Sequence, residues 1–460
     1  MMRRRVRIAA VVLSFGMSVQ MLAMDSVPKS EYHQRRAALA RSLKGGAAVL
    51  FAAPEPVLDF MPYRQDSDFY YLTGWAEPGA ALLVIDAGPA TMVPRSGEQV
   101  PAHGYREILL LPERNRVTEL YTGTKMDAAT TGAAENAGVD AVMPLTALPE
   151  VLGRFVAEDR RRSTTLWTQT DMPAATATVS FLASTLGLST DAVTAKNVRS
   201  LTMALRTVKS TAEIALLQKA SDASIAAQRA GMRSIRPGVR ERTVAGVELA
   251  TMMEEGCERP SYAAIVGSGP NSTTLHYSAN ERVMGKGDVV VIDAAGEYSM
   301  YASDITRTMP VDGRFTARQK EIYDVVLGAQ RAAAAAFVAG KYRMGNLKDR
   351  GTDVADSLDK VAYDYINTHG KDLHGGPLGK YFLHALGHSV GIDVHDPMDY
   401  EHTRLDKGMV FTIEPGLYLA EEKIGIRIED VVYVNADGKL VDLTAPLAHE
   451  ASEVEAAMRP

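Results

Sequence analysis

Four carboxylates sit where carboxylates are expensive to place. Asp293 ends the apolar run Val289-Val290-Val291-Ile292, and Asp304 directly precedes Ile305-Thr306-Arg307-Thr308. Glu414 ends Val410-Phe411-Thr412-Ile413 and is followed by the strand-stopping Pro415-Gly416, while Glu429 lies in Ile426-Arg427-Ile428-Glu429-Asp430. Each run reads as a buried strand, so whatever fold the chain adopts must give these acids a partner or counter-charge. An acid at one strand end is ordinarily a solvated turn residue, since charged groups are seldom buried unpaired. Four of them bounding β-rich apolar runs is a different matter. The runs around Asp293 and Asp304 predict two strands folded back on each other, with Gly296 at the bend and the two carboxylates side by side. Alternation predicts Arg427 and Glu429 on one face of a strand over 424–434.

Convergence of Asp293, Asp304, Glu414 and Glu429 would place about four negative charges in one site, and they cannot all stay ionised without positive charge. Two divalent cations would balance them. The donors would be oxygens with one or two imidazoles, which favours Mn²⁺, with Zn²⁺ and Co²⁺ compatible. Two such ions polarise a carbonyl and lower the pKa of water, which is hydrolase chemistry. Imidazoles stand nearby: His384 and His388 are four apart, and His395 follows in Gly391-Ile392-Asp393-Val394-His395-Asp396. A lone histidine is more often a hydrogen-bonded core side chain than a ligand, and Gly387 and Gly391 argue against a regular helix carrying the pair.

The surrounding chain predicts two units. Residues 47–51, 80–85, 107–111 and 164–167 read as strands and 31–43, 149–157 and 177–188 as helices, a βα alternation that indicates an α/β unit of about 180 residues. After it, Ser210-Thr211-Ala212-Glu213 is a capping box opening a helix that ends at Pro237-Gly238. Helices are expected over 243–255, 317–339 and 347–368, and strands over 288–294, 305–309, 409–414 and 424–434. That order is α+β with a hint of internal duplication. In 460 residues there is one cysteine, Cys257, which excludes a disulfide framework and cysteine-rich metal sites. A net charge of −6 argues against nucleic-acid binding.

Residues 1–23 carry Arg3, Arg4, Arg5 and Arg7 ahead of a short apolar stretch, the layout of a secretory signal peptide cut after Ala23. An uncleaved anchor is the alternative, and Arg4-Arg5 raises twin-arginine export. Cleavage removes four arginines and no acid, moving the net charge from −6 to −10. A single thiol suits an oxidising compartment, so the expected location is exported, periplasmic or secreted, without stable membrane association after cleavage.

Several runs together resemble the pita-bread metallopeptidases, in the Xaa-Pro peptidase branch. They are IVGSGPN from Ile265 with Leu275-His276-Tyr277, VIDAAG from Val291, SDITRT from Ser303, FLHALGHSVGIDVHD from Phe382, FTIEPGLY from Phe411 and IRIED from Ile426. YRQDSDFYYLTGW from Tyr63 resembles the N-terminal domain of aminopeptidase P, and LRTVKSTAEI from Leu205 resembles the lead into the catalytic domain. The resemblance implies an α+β pita-bread catalytic domain over 206–460, preceded by an α/β N-terminal domain over 24–205. It implies Asp293, Asp304, His388, Glu414 and Glu429 as ligands of two divalent metals. Asp304 and Glu429 would bridge the ions, His388 and Glu414 would complete one centre and Asp293 the other. Glu414 matches the group that takes a proton from the attacking, metal-bridging water. His276 and His395 match imidazoles that hold the scissile carbonyl. His384 matches a histidine beside the proline pocket, Tyr418 and Arg427 match neighbouring pocket residues, and Tyr262 matches a support of the metal site. The implied activity is release of an N-terminal residue from peptides with proline second, by a dimer or tetramer. An Xaa-Pro dipeptidase is the nearest alternative, and an exported peptide-binding protein without turnover is a more distant one. Creatinase-like, metal-free hydrolysis would leave four carboxylates unexplained, and methionine aminopeptidases lack this N-terminal domain.

Overall fold

A computed structural model describes residues 25–55, 63–86, 104–158, 165–186 and 195–459. The expected signal peptide, the first residue of the strand predicted at 164–167 and the last two of the helix predicted at 177–188 lie outside the described residues.

The first half runs α1 (Lys29–Leu43), β1 (Ala47–Phe51), α2 (Ser67–Thr73), β2 (Ala81–Ile85), β3 (Arg106–Leu111), α3 (Arg116–Thr122), α4 (Ala133–Ala137), β4 (Ala141–Pro144), α5 (Leu148–Glu158), β5 (Leu166–Thr168), α6 (Pro173–Leu186), β6 (Ala195–Asn197) and α7 (Arg199–Arg206). Its strands form one sheet in the order β4-β3-β2-β1-β5-β6. The predicted α/β alternation holds, but the sheet is mixed: β2 runs antiparallel to both neighbours, and the other pairs are parallel. β1 and β2 are buried throughout, so both faces are covered. Ala48, Leu50, Leu82 and Val84 enter one core, while Ala47, Val49, Leu83 and Ile85 enter the core beneath. The first of these cores also contains Tyr301, Val390, Ile392 and Val410, so the two halves share apolar packing.

The second half opens with α8 (Thr211–Ser234), capped by the predicted box: Ser210 Oγ accepts from the Glu213 amide and Glu213 Oε2 accepts from the Ser210 amide. α9 (Glu241–Glu254), β7 (Arg259–Pro260), β8 (Ile265–Ser268), β9 (Val289–Asp293), β10 (Gly296–Tyr298), β11 (Tyr301–Ala302) and β12 (Thr306–Pro310) follow. Then come α10 (Ala317–Ala336), α11 (Leu358–Thr368), β13 (Val410–Ile413), β14 (Gly416–Leu419), β15 (Ile424–Arg427), β16 (Asp430–Val434), β17 (Leu440–Asp442) and α12 (Ala451–Ala457). The sheet β8-β9-β12 follows the first helix pair and the sheet β13-β16-β17 the second, which is the repeated order hinted at by the sequence.

Four expectations need correction. β9 and β12 do pair antiparallel, with Asp293 opposite Thr306, but Gly296 belongs to β10. The bend lies at Ser299 and Met300, both at positive φ, between β10 and β11. The helix predicted over 317–339 stops at Ala336, where Phe337 turns extended and packs on Phe411 with ring centroids 6.1 Å apart. The helix predicted over 347–368 is one 3₁₀ turn, Leu347–Asp349, then a loop, then α11. Asn346 caps the turn, Gly351 takes a positive φ, and Ser357 starts α11 as a new N-cap. The strand predicted over 424–434 breaks at residues 428 and 429. β15 pairs with β14 and β16 with β13, because Pro415 between the facing strands has no N–H with which to carry the ladder across. Among the described residues, no helix is long and apolar enough to cross a membrane.

Candidate active site

The acids at the strand ends converge. Asp293 at the end of β9 and Asp304 just before β12 are brought together by that antiparallel pair. Glu414 follows β13, and Glu429 precedes β16 and donates its amide to the Thr306 carbonyl at 3.0 Å, joining the two sheets. Asp293, Asp304 and Glu429 each offer an oxygen within 4.8 Å of the others, as do ligand atoms of His388, Glu414 and Glu429, and of Asp304, His388 and His395. His388 Nε2 stands 3.3 Å from Asp304 Oδ2 and 3.3 Å from Glu414 Oε1. The HxxxH segment is irregular chain rather than helix, as its glycines indicated.

These groups line a cavity of about 820 Å³. Every residue singled out as a ligand, catalytic or pocket residue lines it except Tyr418, which reaches the site through hydrogen bonds. Its hydroxyl meets His384 Nε2 at 2.7 Å and accepts from Arg427 Nη1 at 2.8 Å, and Arg427 Nη2 donates to Asp293 Oδ2 at 2.5 Å. His276 and His395 are exposed at the mouth, and the His395 ring lies against His388 with centroids 3.9 Å apart and the planes tilted by 35°. Tyr262 also lines the cavity. Its hydroxyl and Asp293 Oδ1 are both buried and, among the described residues, have no hydrogen-bond partner.

Two threonines were missed in the sequence. Thr306 Oγ1 donates to Glu429 Oε2 at 2.6 Å and accepts from Arg427 Nε at 3.1 Å. Thr412 Oγ1 donates to Glu414 Oε1 at 3.1 Å and accepts from the His388 amide at 3.0 Å. Each lies two residues from a site acid, Asp304 or Glu414, and strand alternation places such a residue on the acid's own face. Behind Glu429, Asp430 is saturated by Arg307, Thr444, Gln330 and His449 at 2.6–2.9 Å. The grouping of Asp430, Asp442 and His449 is therefore a structural ion network.

Burial pushes the Glu429 carboxyl well above its ordinary range, and Asp304 and Glu414 push it further. Burial likewise raises Asp293, against the pull of Arg427, and raises Glu414 to about 7 against the pull of His388. Burial opposes charge on His388, but Asp304 and Glu414 outweigh it and hold the imidazole up to about 9. His384 is driven down to about 3 by burial and then by Arg427. The protein's own cations thus leave the carboxylates short of positive charge. An orphaned Asp293 oxygen, overlapping oxygen-rich donor sets and one shared imidazole are the donor chemistry that hard divalent cations take.

Fold and site together describe a metal-dependent hydrolase built on two units, and comparison with known proteins agrees. Residues 215–436 match metallopeptidase family M24, and residues 32–166 match the aminopeptidase P N-terminal domain. An Xaa-Pro aminopeptidase of Escherichia coli is 32% identical over 95% of this chain and 99% of its own. An Xaa-Pro dipeptidase of Pyrococcus furiosus is 37% identical, but over 51% of this chain and 62% of its own. A solved structure of an E. coli aminopeptidase P variant in complex with substrate superposes with a TM-score of 0.80 at 30% identity, covering 94% of this chain and 99% of that one. The chain belongs to the aminopeptidase P branch of metallopeptidase family M24.

Proposed function

We propose that the protein is an Xaa-Pro aminopeptidase, which hydrolyses the bond between an N-terminal residue and a proline in second position. The observation that carries this reading is the overlap of the donor sets: Asp293–Asp304–Glu429 and His388–Glu414–Glu429 share Glu429, the layout two adjacent cations require. Asp293, Asp304, His388, Glu414 and Glu429 would hold two divalent ions. The excess of oxygen donors favours Mn²⁺ over Zn²⁺ or Co²⁺. When bound, the ions polarise the scissile carbonyl and acidify the attacking water.

The remaining chemistry belongs to side chains. Glu414, beside His388 in the cavity, is placed to accept a proton and pass it to the leaving nitrogen. His276 and His395 stand at the mouth, where their N–H groups meet the oxygen on which charge develops. Burial keeps His384 neutral, and with Tyr418 and Arg427 it shapes the wall for the proline ring. Such a slot is useful because proline lacks the N–H by which a peptidase normally grips its substrate.

The full-length match to an aminopeptidase, against a half-length match to a dipeptidase, favours peptides longer than two residues. The proposal includes a signal peptide over 1–23, export to the periplasm or medium, a division at 205/206 and a homodimer or homotetramer. It is tested with Xaa-Pro-Yaa and Xaa-Pro, each with Mn²⁺ and with chelator. Metal-dependent release of Xaa from the tripeptide supports it, cleavage of the dipeptide alone makes the protein a dipeptidase, and inactivity on both with metal bound overturns it.

A further inference from the structure

We propose that Arg206, at the end of α7, is a positioning residue for His395, holding the loop that aims this imidazole into the active site. This rests on the role assigned to His395 above. Among the described residues no hydrogen bond holds the His395 ring, which lies tilted against His388 at 3.9 Å, so its direction depends on the backbone that carries it. That backbone is irregular chain between Gly391 and Asp396. Its own ties are few: Gly391 N–H to the Asp393 carbonyl at 3.0 Å, Asp396 N–H to the Ser389 carbonyl at 2.9 Å, and Asp393 N–H to Asp396 Oδ1 at 3.2 Å.

The two carboxylates flanking His395 are held from outside the loop. Arg206 Nη2 donates to Asp393 Oδ2 at 2.6 Å and to Asp396 Oδ1 at 2.5 Å, while Nη1 donates to Asp68 Oδ1 of α2 at 2.9 Å. Lys209 Nζ reaches Asp396 Oδ2 at 3.1 Å, and Ser67 Oγ donates to Asp393 Oδ1 at 2.6 Å. Among these groups the Arg206 guanidinium is the one that contacts both carboxylates and α2 together. The Arg206 side chain is 3% exposed, so little water can replace it there. A lysine at this position offers a point charge without the planar fork, so it holds the two carboxylates and Asp68 less rigidly. Arg64 also reaches this loop, donating from Nη2 to the Ile392 carbonyl at 2.9 Å and to Asp393 Oδ1 at 3.4 Å, but Arg206 holds Asp393 and Asp396 together.

The test uses the full-length, metal-loaded enzyme on an Xaa-Pro-Yaa peptide, with Arg206→Met, Arg206→Lys and Asp393→Asn made alone and on a His395→Ala background. A misplacement of ~1 Å in a catalytic group costs on the order of 100-fold in rate. Arg206→Met and Asp393→Asn are expected to lower kcat 10- to 100-fold with KM changed less than about threefold, Arg206→Lys falling between. On the His395→Ala background the same changes should cost nothing further in kcat, because residues acting through one another are non-additive. Bound metal per chain should be unchanged, and the His395 ring-proton signal of the metal-free protein should shift in Arg206→Met. Equal losses on both backgrounds, or parental kcat in Arg206→Met, would overturn the proposal. If Arg206→Met fails to fold, Asp393→Asn decides by the same cycle, since Asp393 is 35% exposed and tolerates the change better. Full kcat in His395→Ala would instead remove the role of His395 itself, a separate and distinguishable result.

Discussion

Gly387→Ala is the sharpest single-atom perturbation of the candidate metal centre. Gly387 precedes His388 and lies against β13, whose Thr412 donates its N–H to the His388 carbonyl at 2.8 Å and accepts at Oγ1 from the His388 N–H at 3.0 Å. Its φ is not positive, so alanine brings no conformational strain and the cost is contact alone. An added Cβ would stand 2.9 Å from the Thr412 carbonyl carbon and 2.9 Å from its Oγ1, with the carbonyl oxygen closer still. Carbon atoms settle at about 3.5 Å or beyond, so the two segments must part by roughly 0.6–1 Å. Overpacking of this kind costs about 1–3 kcal/mol of stability. The functional cost is larger, because metal–ligand distances tolerate only about ±0.2 Å. His388 Nε2 and Glu414 Oε1, 3.3 Å apart across this contact, could no longer serve one ion. The expected result is a folded chain with a lower melting temperature, about one metal fewer per chain by elemental analysis, and kcat reduced on the order of 100-fold. Parental metal content and activity in Gly387→Ala would refute both the steric reasoning and the pairing of His388 with Glu414.

Three further outcomes follow from the same geometry. Saturating Mn²⁺ at about 100 times Kd should stabilise the metal-free protein by about 2.7 kcal/mol, seen as a rise in melting temperature that chelator reverses; an unmoved melt would count against metal at the carboxylates. His384 has a folded pKa of about 3 against an ordinary 6.5, so the unfolded chain binds its proton first and the contribution is lost as pH falls below 6.5. In metal-free protein, the stability difference between parent and His384→Phe should therefore shift against the parent by about 2 kcal/mol between pH 7.5 and pH 5, and urea melts giving a constant difference would contradict it. Ser210→Ala removes the α8 cap and a 2.6 Å bond to Glu31, and should cost about 1–2 kcal/mol in urea unfolding while leaving kcat unchanged; a matched drop in kcat would show that α8 reports to the site.

The sequence was enough to locate the chemistry. Carboxylates bounding apolar strands announce themselves because burying an unpaired charge is costly, so Asp293, Asp304, Glu414 and Glu429 were legible before any fold. The capping box at Ser210 and the irregular HxxxH segment were equally readable, being decided within a few neighbouring residues. Three features were decided only by the tertiary structure. The break at residues 428 and 429 depends on Pro415 standing opposite, between β13 and β14. The ends of α10 and the loop before α11 depend on what Phe337 and Asn346 meet. The hold of Arg206 on both sides of His395 joins residues 187 and 190 positions apart. Local spacing records helix caps, strand faces and the penalty for a buried charge, since these act over one or two turns of chain. Which distant group neutralises that charge, and at what distance, exists only once the chain has closed on itself.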